Sequence, residues 1–559
     1  LFGWLHTPRS GQARGGVVLS PTLGIEAVSA RYAYRCLADR LADAGFVALR
    51  FDYDGTGDSA GEDDEPGRVE AWLSSVRVAT ELVQGIGLGR VGVVGMRMGA
   101  TLVAEIFGSG PASINDLVLW DPCASGRTFL REQGALWAFA LGSEGAGDGS
   151  IETPGLVYDK DTVTDLSALT IANSDGPMAD RVLVLKRSGR TGDRRMNERL
   201  AMAHAERKDI EGQAELVDAQ PDVAKVPEDT IAAIVEWLAA GADGAPNLPI
   251  DPDAVGRAHG TIVVGAHGAT IEEHAVSLGP IGLFGIVATS GTEGVEGSPT
   301  FFFFNAGVID HVGPARLWVR LSRQWAQRGL RSVRCDISGL GESPVHAGQA
   351  RQGVFPSEGL DDVSDALRSM LPEDPSNAVL LGLCSGAYYA VEGVIEHKAR
   401  GLCAVNPILT FNLPPADPDR GSGSPEGPTE GRREVKGGMK SWVRSIPAYD
   451  RINRIVQHLP GAAWWIINRV AVETSPAQRL AQVVDAGVNV LVIAGPDEAR
   501  WLRGGEGPTL RKLGATGRFR MEVIPGLEHT LFERRTREVA VGILTDHVTR
   551  NFGASAPEV

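Results

Sequence analysis

At 559 residues the chain is longer than one hydrophobic core ordinarily fills, so two domains are expected. Hydrophobic residues at 43%, charged residues at 22% and a net charge of −16 describe a globular chain with no sustained basic stripe, which argues against a nucleic-acid partner. No apolar run approaches the roughly 20 residues of a membrane helix, and five scattered cysteines without Cys-x-x-Cys spacing disfavour a disulfide framework and a zinc site and fit a reduced, cytoplasmic setting.

In chain order, Leu1-Phe2-Gly3-Trp4-Leu5-His6-Thr7 opens the sequence, Asp52-Tyr53-Asp54-Gly55-Thr56-Gly57-Asp58-Ser59 reads as a turn, and Gly95-Met96-Arg97-Met98-Gly99-Ala100 is a second, glycine-flanked turn. After a helix over Ile231 to Leu238, the Gly, Pro, Asn and Asp cluster of Gly241 to Pro252 marks a boundary. The three motifs then return in the same order as Leu283-Phe284-Gly285-Ile286-Val287-Ala288-Thr289, Asp336-Ile337-Ser338-Gly339-Leu340-Gly341-Glu342-Ser343 and Gly382-Leu383-Cys384-Ser385-Gly386-Ala387. Their displacements are 282, 284 and 287 residues. Matches in one order with slowly drifting offsets signal a tandem duplication, with domains expected at 1–245 and 253–559.

Within the second copy, Ile281 to Ala288 fits an antiparallel edge hairpin, Thr300 to Phe304 a buried strand and Arg316 to Arg328 an amphipathic helix. Leu330 to Cys335 is a further strand and Gly359 to Met370 a helix. The apolar run Ala378 to Leu381 then leads through Gly382–Gly386 into a helix over Ala387 to Val394. Strands separated by helix-length connections predict, in each copy, a mainly parallel sheet flanked by helices on both faces. Pro414 to Gly438 is polar and glycine-rich and reads as a surface loop. Met439 to Val472 reads as helices, with an amphipathic one near Ala462 to Val472, so a helical lid is expected over about 411–480. Val488 to Ala494 and Phe519 to Ile524 close the pattern as strands before a final helix.

The arrangement resembles the α/β-hydrolase superfamily, in particular its serine-aminopeptidase-like and thioesterase-like branch. The residues carrying the resemblance are the Leu-Phe-Gly strand, Asn305-Ala306-Gly307, the turn from Asp336, the elbow around Cys384, Gly495-Pro496-Asp497-Glu498 and Gly526-Leu527-Glu528-His529. It covers nearly the whole chain twice and implies a nucleophile, acid and histidine in that chain order. The fold hosts many chemistries, so the resemblance names no substrate.

Cys384 takes the nucleophile's place, at the apex of a turn that glycines on either side permit. Ser385 is one position off the apex, and its backbone N–H is assigned to the oxyanion hole with a second donor from Ala306 or Gly307. His529, in the turn after the last strand, is the expected general base, and an imidazole beside the thiol favours the thiolate. The acid follows Val488 to Ala494: family spacing points to Glu498, whereas Asp497 keeps the usual residue type, and the reading leans to Asp497. His311, in the loop after Thr300 to Phe304, is a candidate substrate contact.

The first copy lacks this machinery. Arg97 holds the apex, a guanidinium that stays protonated and cannot attack a carbonyl, and Val223 falls opposite His529. A salt bridge from Arg97 to a nearby carboxylate is the expectation for this non-catalytic copy. No metal site, nucleotide loop or other cofactor site is visible.

A cysteine nucleophile forms a thioester, which keeps the acyl group activated toward amines, hydroxyls and carbon nucleophiles. The leading expectation is therefore an acyltransferase or condensing enzyme drawing on carrier-protein or coenzyme A thioesters, with secondary metabolism as a setting by analogy. The alternatives are a hydrolase of thioesters, esters or lactones using the same triad, a non-hydrolytic lyase, and a non-enzymatic scaffold.

Overall fold

The computed structural model describes residues 1–109, 113–141, 149–190, 192–251, 256–264, 269–290, 297–409, 475–503 and 506–553. It divides into two compact units. The first comprises Leu1–His274, Val312–Gln327 and Leu531–Arg534; the second comprises Ala275–His311, Arg328–Thr530 and Arg535–Val559.

The main sheet of the first unit is built from β1 (Gly3–His6), β2 (Gly16–Ser20), β3 (Val47–Phe51), β4 (Val91–Met96), β5 (Asp116–Trp120), β6 (Arg181–Arg187) and β7 (Glu206–Ile210). The order is β1-β3-β2-β4-β5-β6-β7, with β1 antiparallel to β3 and every other pair parallel. The period of two along each strand divides the core into two layers. Val17, Leu19, Val94 and Val118 pack against Leu37 and Leu41 of helix α1 (Ile25–Asp43). Val18, Val93, Leu117 and Leu119 pack on the other face against Trp72 and Val76 of α2 (Arg68–Gly85) and Val103 of α3 (Met98–Phe107). Both faces are covered, which is why these strands are apolar at consecutive rather than alternate positions.

The second sheet starts with the antiparallel hairpin β8 (His259–Val264) and β9 (Ala269–Leu278). It continues through β10 (Leu283–Thr289), β11 (Thr300–Phe303), β12 (Ser332–Cys335), β13 (Ala378–Leu383), β14 (Gly401–Val405), β15 (Asn489–Ala494) and β16 (Phe519–Val523). From β10 onward the order β10-β12-β11-β13-β14-β15-β16 repeats that of the first sheet, with β10 antiparallel to β12 and the rest parallel. The segment read as an edge hairpin is antiparallel as expected, but β9 lies outside it, so β10 is not the edge. The helix expected over Arg316 to Arg328 spans Leu317–Ala326 and belongs to the first unit.

The duplication holds at the level of single hydrogen bonds. Phe2 N–H donates to Ser59 Oγ and Phe284 N–H to Ser343 Oγ, both at 2.9 Å. Ser59 and Ser343 donate to the carbonyls of Asp52 and Asp336, both at 2.6 Å. Asp58 and Glu342 N–H donate to the Asp52 and Asp336 carboxylates, both at 3.0 Å. Gly57 (φ 49°) and Gly341 (φ 45°) are glycine for one reason: a Cβ would lie 2.1 Å from that carboxylate in either copy.

Most of the expected lid, residues 410–474, lies outside the described residues, as do the loop at Pro414 to Gly438 and the helix near Ala462 to Val472. From Ser475 the chain is core rather than cap. Ser475 forms a capping box with Gln478 at the head of the helix Pro476–Asp485, whose Ala477, Leu480, Val483 and Val484 are buried. Among the described residues no helix is long and apolar enough to cross a membrane.

Candidate active site

Cys384 connects β13 to helix α4 (Ser385–His397) with φ 56° and ψ −113°, a conformation that costs a non-glycine residue about 1–3 kcal/mol. Its neighbours explain how the turn persists. A Cβ on Gly382 would lie 2.0 Å from the Gly386 carbonyl carbon, and one on Gly386 would lie 2.4 Å from the Asn305 carbonyl oxygen, so only glycine fits either side. The Cys384 N–H donates to Val405 O at 3.1 Å, fixing the apex to the end of β14. The residue therefore caps a 13-residue helix at its positive end and remains partly exposed. Cys123, Cys335 and Cys403 are instead buried, and burial pushes the Cys403 thiol up to about 12.

His529 follows β16 through a turn in which Gly526 has φ 79°. The turn is braced by Glu528, whose carboxylate accepts the Thr530 N–H at 2.7 Å. The imidazole Nδ1 lies 3.0 Å from Glu498 Oε1, and the Cys384 thiol is within hydrogen-bonding reach of the ring. Burial works to lower the His529 pKa, but the hydrogen bonds to Cys384 and Glu498 and their charges outweigh it and raise it from 6.5 to about 10. Burial likewise works to raise Glu498, and the His529 hydrogen bond, Glu498's own backbone N–H and the ring's charge outweigh it, so the carboxyl is held below its ordinary range. Cysteine, imidazole and carboxylate thus meet in that order.

The carboxylate that meets His529 is Glu498, not Asp497. Both occupy the first turn of the helix Pro496–Arg503, where consecutive side chains point about 100° apart, so only one can face the histidine. Asp497 is turned outward, its side chain 75% exposed and paired with Arg500 at 2.9 Å. Gly495 leaves room for this choice: a Cβ there would lie 2.4 Å from Leu527 O and 2.7 Å from Glu498 Oε2.

Ser385 is buried, and its hydroxyl accepts the Gly307 N–H at 2.8 Å. Its backbone N–H opens α4, where intrahelical acceptors are lacking, as an oxyanion donor requires. Gly307 spends its amide on Ser385 Oγ, and Ala306 is buried in the same turn, in a bridge with Ile309. His311 is not placed as a substrate contact. It is buried, its Nδ1 lies 2.7 Å from Asp336 Oδ2, and its ring meets Phe284 edge-on at 4.9 Å. Together with Asn305, whose amide donates to Asp336 Oδ1 at 2.8 Å, it ties the 305–311 loop to the turn from Asp336.

A residue missed in the sequence is Asn406, which hydrogen-bonds Gly495, just ahead of the helix carrying Glu498, and the loop carrying His529. The signal was present: Trp120-Asp121-Pro122 returns as Val405-Asn406-Pro407 at an offset of 285, in line with the other repeats.

In the first copy Arg97 has φ 52° and ψ −117° between β4 and α3. Its guanidinium is buried against Glu26 (3.3 Å), Asp121 (3.5 Å) and Glu132, the salt-bridge arrangement expected for it. Burial raises the carboxyls of Glu26 and Asp121 despite the cation beside them. Val223 lies in a short turn, Pro221–Val223, and is 59% exposed. Among the described residues no group of three or more His, Cys, Asp or Glu is placed to hold a metal ion.

No family model matches the sequence, and no curated protein matches it. Among solved structures, a lidless α/β serine hydrolase of Xanthomonas campestris is 16% identical, covering 51% of this chain and 96% of its own, with a TM-score of 0.28. Est1E of Butyrivibrio proteoclasticus, solved with ferulic acid bound, is 14% identical over 43% of this chain and 95% of its own, with a TM-score of 0.34. A proline iminopeptidase of Mycobacterium smegmatis is 15% identical over 44% of this chain and 96% of its own, with a TM-score of 0.30. An antiparallel first pair, the strand order repeated from β10 and a strained residue between strand and helix define the α/β-hydrolase fold, and this chain carries that fold twice.

Proposed function

We propose that the second copy is a thioesterase-like acyltransferase or condensing enzyme that takes an acyl group from a carrier-protein or coenzyme A thioester onto Cys384. It passes that group to an amine, hydroxyl or carbon nucleophile. The observation that carries the reading is a partly exposed elbow cysteine beside an imidazole whose Nδ1 lies 3.0 Å from the Glu498 carboxylate. The Cys384 thiolate attacks the donor carbonyl, and the oxyanion rests on the Ser385 N–H with the Ala306 N–H as second donor, since Gly307 donates to Ser385 Oγ. Collapse expels the donor thiol, which takes its proton from His529. The neutral imidazole then removes the acceptor's proton as it attacks the new thioester, and Cys384 leaves as thiolate. Exchange of one thioester for another is nearly isoenergetic, so the acyl group keeps its activation for the second step. We assign the protein to a reducing, cytoplasmic compartment, which five unpaired thiols favour.

Intact-protein mass spectrometry after incubation with a panel of acyl-coenzyme A thioesters tests this reading. A mass shift on Cys384, lost in Cys384→Ala, followed by conjugate exceeding free acid when an amine is supplied, is the expected result. Free acid alone assigns the site to hydrolysis. Turnover without any acyl-enzyme points to a lyase, and no labelling of Cys384 by any donor returns the copy to a scaffold.

A further inference from the structure

We propose that Asn406 is the positioning residue of this site, joining the head of the acid's helix and the loop of the base to one fixed point; the inference rests on the Cys384–His529–Glu498 reading above. Asn406 directly follows β14, whose last carbonyl holds the Cys384 N–H. It is fully buried with φ 40°, a left-handed conformation that Asn tolerates better than most residues. Its backbone N–H donates to Ile493 O at 2.8 Å, and its side-chain Oδ1 accepts the Gly495 N–H at 2.8 Å. Its Nδ2 donates both to His529 O at 3.0 Å and to Glu528 O at 3.1 Å.

One amide therefore holds Gly495, three residues before the acid, and the backbone of the base itself. The 3.0 Å contact between Glu498 and His529 joins the first turn of a helix to a separate loop, and rotamer freedom in either would lengthen it. The equivalent residue of the first copy sharpens the point. Asp121 shares the place and the backbone, with φ 46° and its N–H on Leu185 O at 2.8 Å. A carboxylate cannot donate, and its Oδ2 accepts from Arg187 (2.6 Å) and Arg97 (3.5 Å) instead. Where the cysteine and histidine are absent, the loop-joining amide is absent too. At position 406 an aspartate of the same shape would set an anionic oxygen against two carbonyl oxygens and release the base.

The test follows iodoacetamide labelling of Cys384 by peptide mass spectrometry from pH 5 to 10 in the full chain, for the parent, His529→Ala, Asn406→Asp and Asn406→Gly. Asn406→Gly keeps the left-handed backbone available and removes only the amide, so it serves where the charge of Asp prevents folding. Thermal unfolding of each variant is recorded alongside. We expect His529→Ala and both Asn406 variants to lose about tenfold of the labelling rate near pH 6 while labelling near pH 9 changes little. Parent-like profiles in both folded Asn406 variants, with His529→Ala altered, overturn the inference and leave the triad standing. An unaltered His529→Ala profile overturns the triad, and this inference with it. An equal loss at every pH shows Asn406 to be structural only and also overturns the proposal.

Discussion

Arg97 and Cys384 occupy one backbone conformation to within about five degrees, each anchored through its N–H to the last carbonyl of the neighbouring strand. Glycines flank both. A Cβ on Gly99 would lie 2.1 Å from Pro21 O, much as one on Gly386 would strike Asn305 O. The fold over-determines this turn through packing and hydrogen bonds, so the strain survives where no nucleophile is left. A strained elbow is therefore weak evidence of catalysis. The two copies differ in what faces the apex: three carboxylates around Arg97, and an imidazole backed by one carboxylate beside Cys384.

The largest break in that comparison should come from Cys384→Ala, which is expected to lower acyl transfer by about a thousandfold or more, as removal of a triad nucleophile does. Cys384→Ser should keep slow acylation and shift products from conjugate to free acid, read as a product ratio by chromatography. Equal transfer by the serine variant would falsify the account of why a thiol stands there. Arg97→Ala should act on stability rather than on chemistry. Glu26 and Asp121 would be left buried with one cation fewer, a loss of about 3–5 kcal/mol in urea unfolding of the first unit. Cys384 labelling should be unchanged. Gly495→Ala comes next, with a cost of about 1–3 kcal/mol for forcing a methyl between Leu527 O and Glu498, accompanied by slower low-pH labelling of Cys384.

The duplication, the two parallel sheets, the elbow and His529 were all legible in the sequence, because glycines forced by close backbone approach and apolar runs buried on both faces leave strong patterns. Three features were not. His311 looked like a pocket residue because a loop histidine carries no mark of its partner, and the partner, Asp336, lies 25 positions away. Arg316 read as the first residue of an amphipathic helix, yet it precedes that helix with φ 62°. Its guanidinium donates to the carbonyls of Gly55, Gly57, Ser59 and Gly61, all inside the first unit. No periodicity encodes a bond across some 260 residues. Asp497 and Glu498 were ambiguous because adjacent positions of one helical turn differ only in direction.

That last ambiguity gives the finest test. His529 is raised to about 10, so its charge contributes stability that is fully present below pH 6.5 and lost as the pH rises toward 10. Glu498→Gln removes one of the two supports of that charge, so the upper limit should move down and labelling of Cys384 near pH 6 should slow by about three- to tenfold. Asp497→Asn alters a group 75% exposed, whose partner Arg500 is itself more than half exposed, and a surface pair of this kind is worth about 0–1 kcal/mol. Its labelling profile should overlay the parent's at every pH. If the Asn variant shifts the profile and the Gln variant does not, the acid has been assigned to the wrong one of two neighbours, and the helix Pro496–Arg503 must turn by about 100° to bring position 497 to the ring.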